Sequence, residues 1–132
     1  MSNLDQPGGT YSYNGGGTNT PTQVTANACI LYHVSVSHNG GSVGYLQFYN
    51  NGTYDVEGAG GTVIGTPDFV VAVHAGTAAA GTPTFQAARD VVFGPYGRQL
   101  NGGLTYLWAN AATGTAAFAG NAIVDITLSK VT

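Results

Sequence analysis

Short runs of alternating apolar and polar residues, each closed by a turn dipeptide, constrain this chain more than any other feature. In residues 30–37 apolar side chains recur at alternate positions, and an Asn-Gly pair follows at 39–40. Residues 43–50 repeat the alternation and lead into a second Asn-Gly pair. Alternation of period two is typical of a strand with one buried face, and Asn-Gly favours the tight turns of hairpins. The pattern therefore predicts antiparallel strands.

Further runs of this kind continue along the chain, and no long segment has apolar side chains at helical spacing. They lie at residues 68–75, 84–88, 90–93, 104–109 and 122–131. About seven short strands at such spacing predict an all-β sandwich, either jelly roll or immunoglobulin-like.

The alternation also assigns a face to each strand. In the first strand one face is predicted to hold Ile30, Tyr32, Val34 and Val36, and the other Leu31, His33, Ser35 and Ser37. The last strand is predicted to bury one face, with Ala122, Val124, Ile126 and Leu128, and to expose the other, with Asp125, Thr127 and Ser129. The predicted core consists of Ile30, Val34, Leu46, Phe48, Phe69, Val71, Leu104, Val124, Ile126 and Leu128.

The first 26 residues differ in composition from the rest, because they contain two glycine clusters and few aliphatic side chains. We predict an extended, Gly-rich N-terminal arm over residues 1–26, followed by a sandwich domain over residues 27–132. Tyr11 and Tyr13 are the large contact groups of this segment. They are predicted to contact a capsid or a neighbouring subunit, as a strand laid onto another protein would. A solvated terminus is the alternative.

The reactive side chains do not form a recognisable catalytic pattern. His33 and His38 are five residues apart, so a straight strand points them to opposite faces, and His74 is distant in sequence. Asp55 and Glu57 suggest a calcium site, but such residues are more often present for solubility. No serine lies in a Gly-x-Ser-x-Gly elbow, and no glycine cluster matches a phosphate loop. We therefore expect no enzymatic activity, no cofactor and no metal.

Charge is scarce, with three basic and six acidic residues in 132. So few basic residues disfavour nucleic acid as a partner, since that binding depends on neutralising phosphates. Residues 1–25 lack the features of a signal peptide, and the apolar runs are too short to span a bilayer, so no membrane partner is expected. Cys29 lies in an apolar run and is expected to be buried. A subunit whose surface is covered by its neighbours needs few charged residues to stay in solution. We therefore expect a closed symmetric oligomer, specifically a homotrimer.

Several stretches resemble small virion proteins of tailed bacteriophages. They include VGYLQFYN at residues 43–50, IGTPDFVVAVHAG at 64–76, VVFGPYG at 91–97, and the closing residues 122–131. The similarity covers roughly residues 28–131 and omits the arm. Proteins of this kind are jelly rolls, often homotrimeric, and occur as capsid cement or decoration proteins, head fibres and tail-associated modules. The resemblance carries no catalytic residue.

The resemblance implies a jelly-roll-like β-sandwich and a structural role. We expect a capsid cement or decoration protein that binds the major capsid protein on the outer capsid surface and stabilises the shell. It would be made in the host cytoplasm and located in the virion. The alternative is a tail-fibre or receptor-binding module that binds carbohydrate through exposed aromatic side chains such as Tyr54, Tyr96 or Trp108. Trp108 alternates with Leu104 and Tyr106, which favours a core position for it.

Overall fold

A computed structural model describes residues 10–50, 56–57, 62–63, 66–76 and 87–130 of the chain. Within these ranges the chain forms β-strands and no helix. The strands are β1 (Thr10–Gly16), β2 (Thr22–Thr25), β3 (Cys29–His38), β4 (Gly44–Tyr49), β5 (Val56–Glu57), β6 (Thr62–Val63), β7 (Phe69–Val73), β8 (Ala87–Val92), β9 (Arg98–Leu100), β10 (Leu104–Ala109) and β11 (Ala122–Lys130).

Two antiparallel sheets contain all of these strands except β5 and β6, which pair with each other. Sheet A has the order β1-β11-β3-β8, and β9 pairs with β3 beyond the end of β8. Sheet B has the order β2-β10-β4-β7. The predicted all-β class is confirmed, and the two sheets are consistent with a β-sandwich.

One hydrophobic core draws side chains from both sheets, which is why they stack. Most of the predicted core residues are fully buried in it. Phe69 is half-buried and packs against this core, where its ring stacks on Phe48 with centroids 4.6 Å apart. On β11 the predicted buried face is confirmed, because Ile126 and Leu128 are buried, and Asp125 is exposed on the other face; Ser129, also predicted to be exposed, is buried, with its hydroxyl oxygen 3.2 Å from that of Tyr32. Ile30 does not belong to the core and was predicted wrongly.

A β-bulge at Tyr32 explains the error. Thr127 of β11 lies opposite His33, but the next residue, Leu128, lies opposite Leu31, so Tyr32 has no partner on β11. An extra residue in one strand reverses the face on which the following side chains lie. Leu31 therefore points into the core before the bulge and Val34 after it. Ile30 and Tyr32 lie on the outer face, not with Val34 as the uninterrupted alternation predicts.

The structure also differs from the expectation of a separate arm over residues 1–26. Residues 1–9 lie outside the described residues, but Thr10–Gly16 pairs with β11 along its whole length. Thr22–Thr25 pairs with β10 in the other sheet. These two segments are therefore edge strands of the chain's own sheets. Neither sequence shows this role, because β2 has only four residues and β1 has few apolar side chains and ends in two glycines, so no apolar alternation marks them.

Two smaller differences concern the middle of the chain. Residues 87–92 form one continuous strand, although two separate runs meeting at residue 89 were predicted. Residues 84–86, part of the first of those runs, lie outside the described residues. The short strand Arg98–Leu100 was not predicted, since it extends sheet A by only three residues.

Candidate functional site

Four connections meet at one end of the sandwich. They are residues 17–21, 39–43 and 110–121, together with residues 74–76, the described part of the connection after β7, and we call this region the loop end. The strand pairing places them together, because Ala122 pairs with His38, Tyr45 with Ala109, and Gly44 with Val73. The loop end is therefore assembled from segments that are far apart in the sequence.

Backbone hydrogen bonds tie these connections to one another and to β10. The amide of Trp108 donates to the carbonyl of Thr18 at 2.8 Å, and the amide of Gly76 donates to the carbonyl of Gly40 at 3.0 Å. The amide of Asn39 donates to the carbonyl of Asn121 at 3.1 Å. Such bonds fix the relative positions of the loops, so the surface is ordered before it meets any partner.

Side chains add further links. The Asn121 amide donates to Oδ1 of Asn39 at 2.7 Å, and Nδ2 of Asn19 donates to the carbonyl of Thr115 at 3.0 Å. From the outer face of sheet B, Nε2 of Gln47 donates to the carbonyls of Ala111 and Gly114 at 3.0 and 2.9 Å. The Gln47 side chain is fully buried, and its remaining oxygen accepts a hydrogen bond from the Tyr49 hydroxyl. The long connection after β10 is thereby held across sheet B.

An aromatic cluster, in which His38 and Trp108 are buried and Phe118 is half-buried, packs between the loop end and the core. The rings of His38, Trp108 and Phe118 contact one another, with centroids 4.9 to 5.5 Å apart. Gly44 makes room for the indole, since a Cβ at Gly44 would lie 2.1 Å from Cζ2 of Trp108. Trp108 is 1% exposed, as its alternation with apolar neighbours predicts, so it offers no platform for a sugar. Its buried Nε1 has no hydrogen-bond partner among the described residues.

Both ring nitrogens of His38 are engaged. Nε2 donates to the carbonyl of His74 at 2.8 Å, and Nδ1 accepts from the amide of Gly40 at 3.0 Å. This pair of bonds requires the neutral ring with its proton on Nε2. Burial lowers the pKa of His38 from 6.5, and the neighbouring His74 lowers it further, against hydrogen bonds to the backbone that raise it. His38 is therefore neutral, and its two hydrogen bonds link residues 74–76 to residues 39–43 of the loop end.

The loop end carries no Asp, Glu, Lys or Arg. Its residues are mainly Asn, Thr, Ser, Gly and Ala, and Val43 is its exposed large apolar side chain. The arginines lie along a different side of the sandwich: Nη1 of Arg89 donates to the carbonyl of Ala72 at 2.9 Å, and Arg98 lies over the ring of Phe69 at 4.4 Å. The result is a preformed surface that is polar but uncharged.

The predicted interface residues Tyr11 and Tyr13 are half-buried on β1 and pack against the core of their own chain. Tyr13 makes an edge contact with Tyr106 at 5.8 Å, and their hydroxyl oxygens are 3.2 Å apart. The Tyr106 hydroxyl donates to the carbonyl of Gly16 at 2.9 Å. Burial raises the pKa of both Tyr11 and Tyr106. A role in contacting a partner stays a prediction for these two tyrosines, and their rings face inward here.

The side chains with reactive groups are spread over the sandwich. Nε2 of His33 lies 3.6 Å from a carboxylate oxygen of Asp90 on the outer face of sheet A. Burial raises the pKa of the Cys29 thiol to about 11. Among the described residues no three His, Cys, Asp or Glu side chains gather as metal ligands. The suggested calcium ligands, Asp55 and the side chain of Glu57, lie outside what the structure describes.

One aromatic side chain of the predicted sugar platform is exposed. Tyr96 is 89% exposed on the turn between β8 and β9, which lies along the edge of sheet A beside residues 31–33 of β3. Gly94 and Gly97 flank this turn with φ of 77° and 71°, values that favour glycine. Tyr54 lies outside the described residues.

Sequence reasoning did not find the loop end, because its four segments meet only once the strands are paired. A signal was nevertheless present: residues 110–121 form a long connection with no charged side chain. In the described part of the chain, no helix is long and apolar enough to cross a membrane. Comparison of the chain with protein-family models, with curated proteins and with solved structures gives no match.

Proposed function

We propose that this chain is a non-enzymatic structural protein of a bacteriophage particle, a capsid decoration protein that binds the outer capsid surface and stabilises the shell. The observation that carries the proposal is the loop end, a surface that is ordered in advance and free of charged side chains. The resemblance of residues 28–131 to small virion proteins gives the setting in which such a surface would work.

The strand order supports a jelly roll as the fold. A jelly roll consists of eight antiparallel strands in two sheets connected as two Greek keys. Apart from the short β5, β6 and β9, the chain has eight strands divided equally between sheets A and B. Successive strands alternate between the sheets, except that β4 and β7 are neighbours in sheet B. This connectivity brings the loops of alternate crossings to the same end, where the proposed docking surface lies.

An uncharged, ordered surface suits attachment to another protein. Charged residues are depleted at the centres of protein interfaces, because a buried charge without a partner costs free energy. Ordering loops during binding also costs free energy, and the hydrogen bonds within the loop end remove much of that cost. The amide and hydroxyl side chains of Asn19, Ser42 and Thr113 remain exposed and can donate and accept hydrogen bonds.

The proposal includes the assembly and location expected from the sequence. Copies would associate, as a homotrimer, and each would contact the major capsid protein. Few charges on the whole chain favour a subunit whose flanks are covered in the particle. A cement protein acts by bridging capsid subunits, so its benefit appears as resistance of the shell to heat and osmotic shock.

A charge placed in the loop end tests this function. Ser42 and Thr113 are exposed there, and none of their side-chain atoms makes a described hydrogen bond, so Ser42→Asp with Thr113→Asp should leave the fold intact. Binding to capsids that lack the protein should weaken by at least about tenfold, since two charges buried without partners cost more than ~1.4 kcal/mol. Binding is measured by co-sedimentation with the particles.

The matched control places the same charges at the other end of the sandwich, as Gln99→Asp with Asn101→Asp. Both side chains are exposed there, and binding should stay within about twofold of wild type. If the loop-end variant binds as well as wild type, or the control loses binding instead, the docking surface is not the loop end.

A receptor-binding role is the second candidate, and the exposure of Tyr96 favours it. An aromatic ring held out on a short turn can stack on a sugar. Under this alternative, Tyr96→Ala particles would have heads of normal heat resistance but would no longer adsorb to host cells. Under the decoration function, Tyr96→Ala leaves adsorption unchanged.

A further inference from the structure

The two sheets end in four edge strands, β1, β2, β7 and β8, which differ in how they are protected from pairing with a further strand. An edge strand presents unpaired amides and carbonyls, and proteins usually guard it with charges, prolines, bulges or shortness. On β7 the Ala72 carbonyl is capped by Arg89, and β8 itself carries Arg89 and Asp90. The adjoining β9 carries Arg98. The edge strand β2 has only four residues, and its pairing with β10 is irregular next to Leu104.

The edge strand β1 has little such protection: of its outward backbone groups only the Gly16 carbonyl has a described partner, the Tyr106 hydroxyl. Its seven residues, Thr10–Gly16, include no charged side chain and no proline. Its register against β11 runs without a bulge from one end to the other. Among the residues that the structure describes, none pairs with its other edge. β1 is thus the longest unguarded edge of the two sheets in the described part of the chain.

The register shows which backbone groups are available on that edge. The amide of Gly17, just after β1, donates to the carbonyl of Ala122, so position 17 points its backbone groups at β11. In an antiparallel pair this direction alternates along the strand. Tyr11 and Tyr13 therefore also bond to β11, whereas Ser12 and Asn14 direct their amides and carbonyls away from the sheet.

The surroundings of this edge suit a strand of the same sequence. The exposed side chains beside it, Ser12 and Asn14, are short and polar. The nearest carboxylate, Asp125, lies one strand further in and is hydrogen-bonded by the Asn14 side chain. A second β1 laid antiparallel would therefore bring no like charges together. An antiparallel pair of identical strands is self-complementary, so a twofold axis satisfies both edges at once.

We propose that β1 is an interaction surface for a second copy of this chain, whose own β1 pairs with it antiparallel about a twofold axis. Sheet A of one copy then continues into sheet A of its partner. The bonds involve the backbone of Ser12 and Asn14, while the tyrosines between them remain in their own cores. This contact is independent of the loop end, and if trimers form through other surfaces, the β1 edge joins them in pairs.

Proline substitution on the free edge tests the pairing. Ser12→Pro with Asn14→Pro removes two outward amides, and proline is tolerated in an edge strand where the amide faces solvent. The mass measured by analytical ultracentrifugation should fall to half that of wild type. The control, Ser12→Ala with Asn14→Ala, changes the same side chains but keeps both amides, so it should keep the wild-type mass. Circular dichroism checks that each variant is folded.

Hydrogen exchange on the wild-type chain gives a second readout that needs no variant. The amides of Ser12 and Asn14 should be protected at high protein concentration and should lose that protection on dilution, whereas the Tyr13 amide stays protected throughout. A folded proline variant of unchanged mass, a wild-type monomer at micromolar concentration, or exchange of Ser12 and Asn14 that ignores concentration would each overturn the proposal. The proline variant keeps the loop end unchanged and should still bind capsids. Its capsid binding therefore tests the proposed function separately from the pairing of β1.

Discussion

Truncation of Leu31 and of its neighbour Ile30 should have very different effects on stability. The two side chains have the same number of carbon atoms, but the bulge at Tyr32 points Leu31 into the core and Ile30 outward. Leu31→Ala removes three fully buried carbons, worth roughly 2.4 kcal/mol of transfer free energy, and a cavity adds to this. We expect a loss of about 3 to 4 kcal/mol. Ile30→Ala should cost about 1 kcal/mol, because its side chain is only half-buried.

Urea unfolding followed by circular dichroism measures both changes, and thermal melts provide an independent comparison. For a chain of this length a loss of 1 kcal/mol lowers Tm by roughly 4 °C, so Leu31→Ala should melt about 12 °C or more below wild type. A strand without the bulge would place Ile30 with Val34 in the core. Equal losses, or a larger loss for Ile30→Ala, would therefore refute the bulge and the faces assigned to β3.

Three further predictions concern the aromatic cluster and the buried titratable groups. Gly44→Ala should lower Tm markedly, because its Cβ would collide with the Trp108 indole, whereas Gly41→Ala, with open space around its Cβ, should leave Tm within about 2 °C of wild type. Burial lowers the pKa of His38 in the folded state, so as the pH falls the unfolded chain binds a proton at this histidine before the folded chain does. Its contribution to the free energy of unfolding should be complete above about pH 6.5 and decline as the pH falls towards the folded-state pKa, in urea titrations over that range. Cys29 should react with a chromogenic disulfide reagent only at the rate at which the protein opens, since the thiol is buried and its pKa is raised to about 11; rapid reaction of native protein would contradict its placement.

The strands that could be predicted are those whose local pattern carries the information. β4, β10 and β11 alternate in sequence and are bounded by turn residues, so their existence and most of their buried side chains followed from the chain alone. The bulge in β3 could not be predicted, because it arises from the register against β11 and leaves the local sequence looking regular. Strands β1 and β2 become strands only through partners about a hundred residues away in sequence.

The candidate site was harder to predict for the same reason. The loop end depends on contacts such as that of Gly40 with Gly76, which no sequence pattern links. Tyr11 and Tyr13 were singled out as large groups in a glycine-rich segment, and that composition does not reveal that their rings pack on Tyr106 and the core. Three histidines in the sequence gave no sign that His38 is the one enclosed by aromatic rings.

The position of the protein on intact particles tests the proposed function most directly. Under the proposed function a phage encodes this chain, and its particles can be labelled with a gold-conjugated antibody raised against the folded protein and viewed by electron microscopy. A capsid decoration protein should place gold over the whole surface of the head, and particles without the protein should show no label and should rupture at lower temperature. Gold confined to the tail, or particles that carry no label at all, would contradict the account.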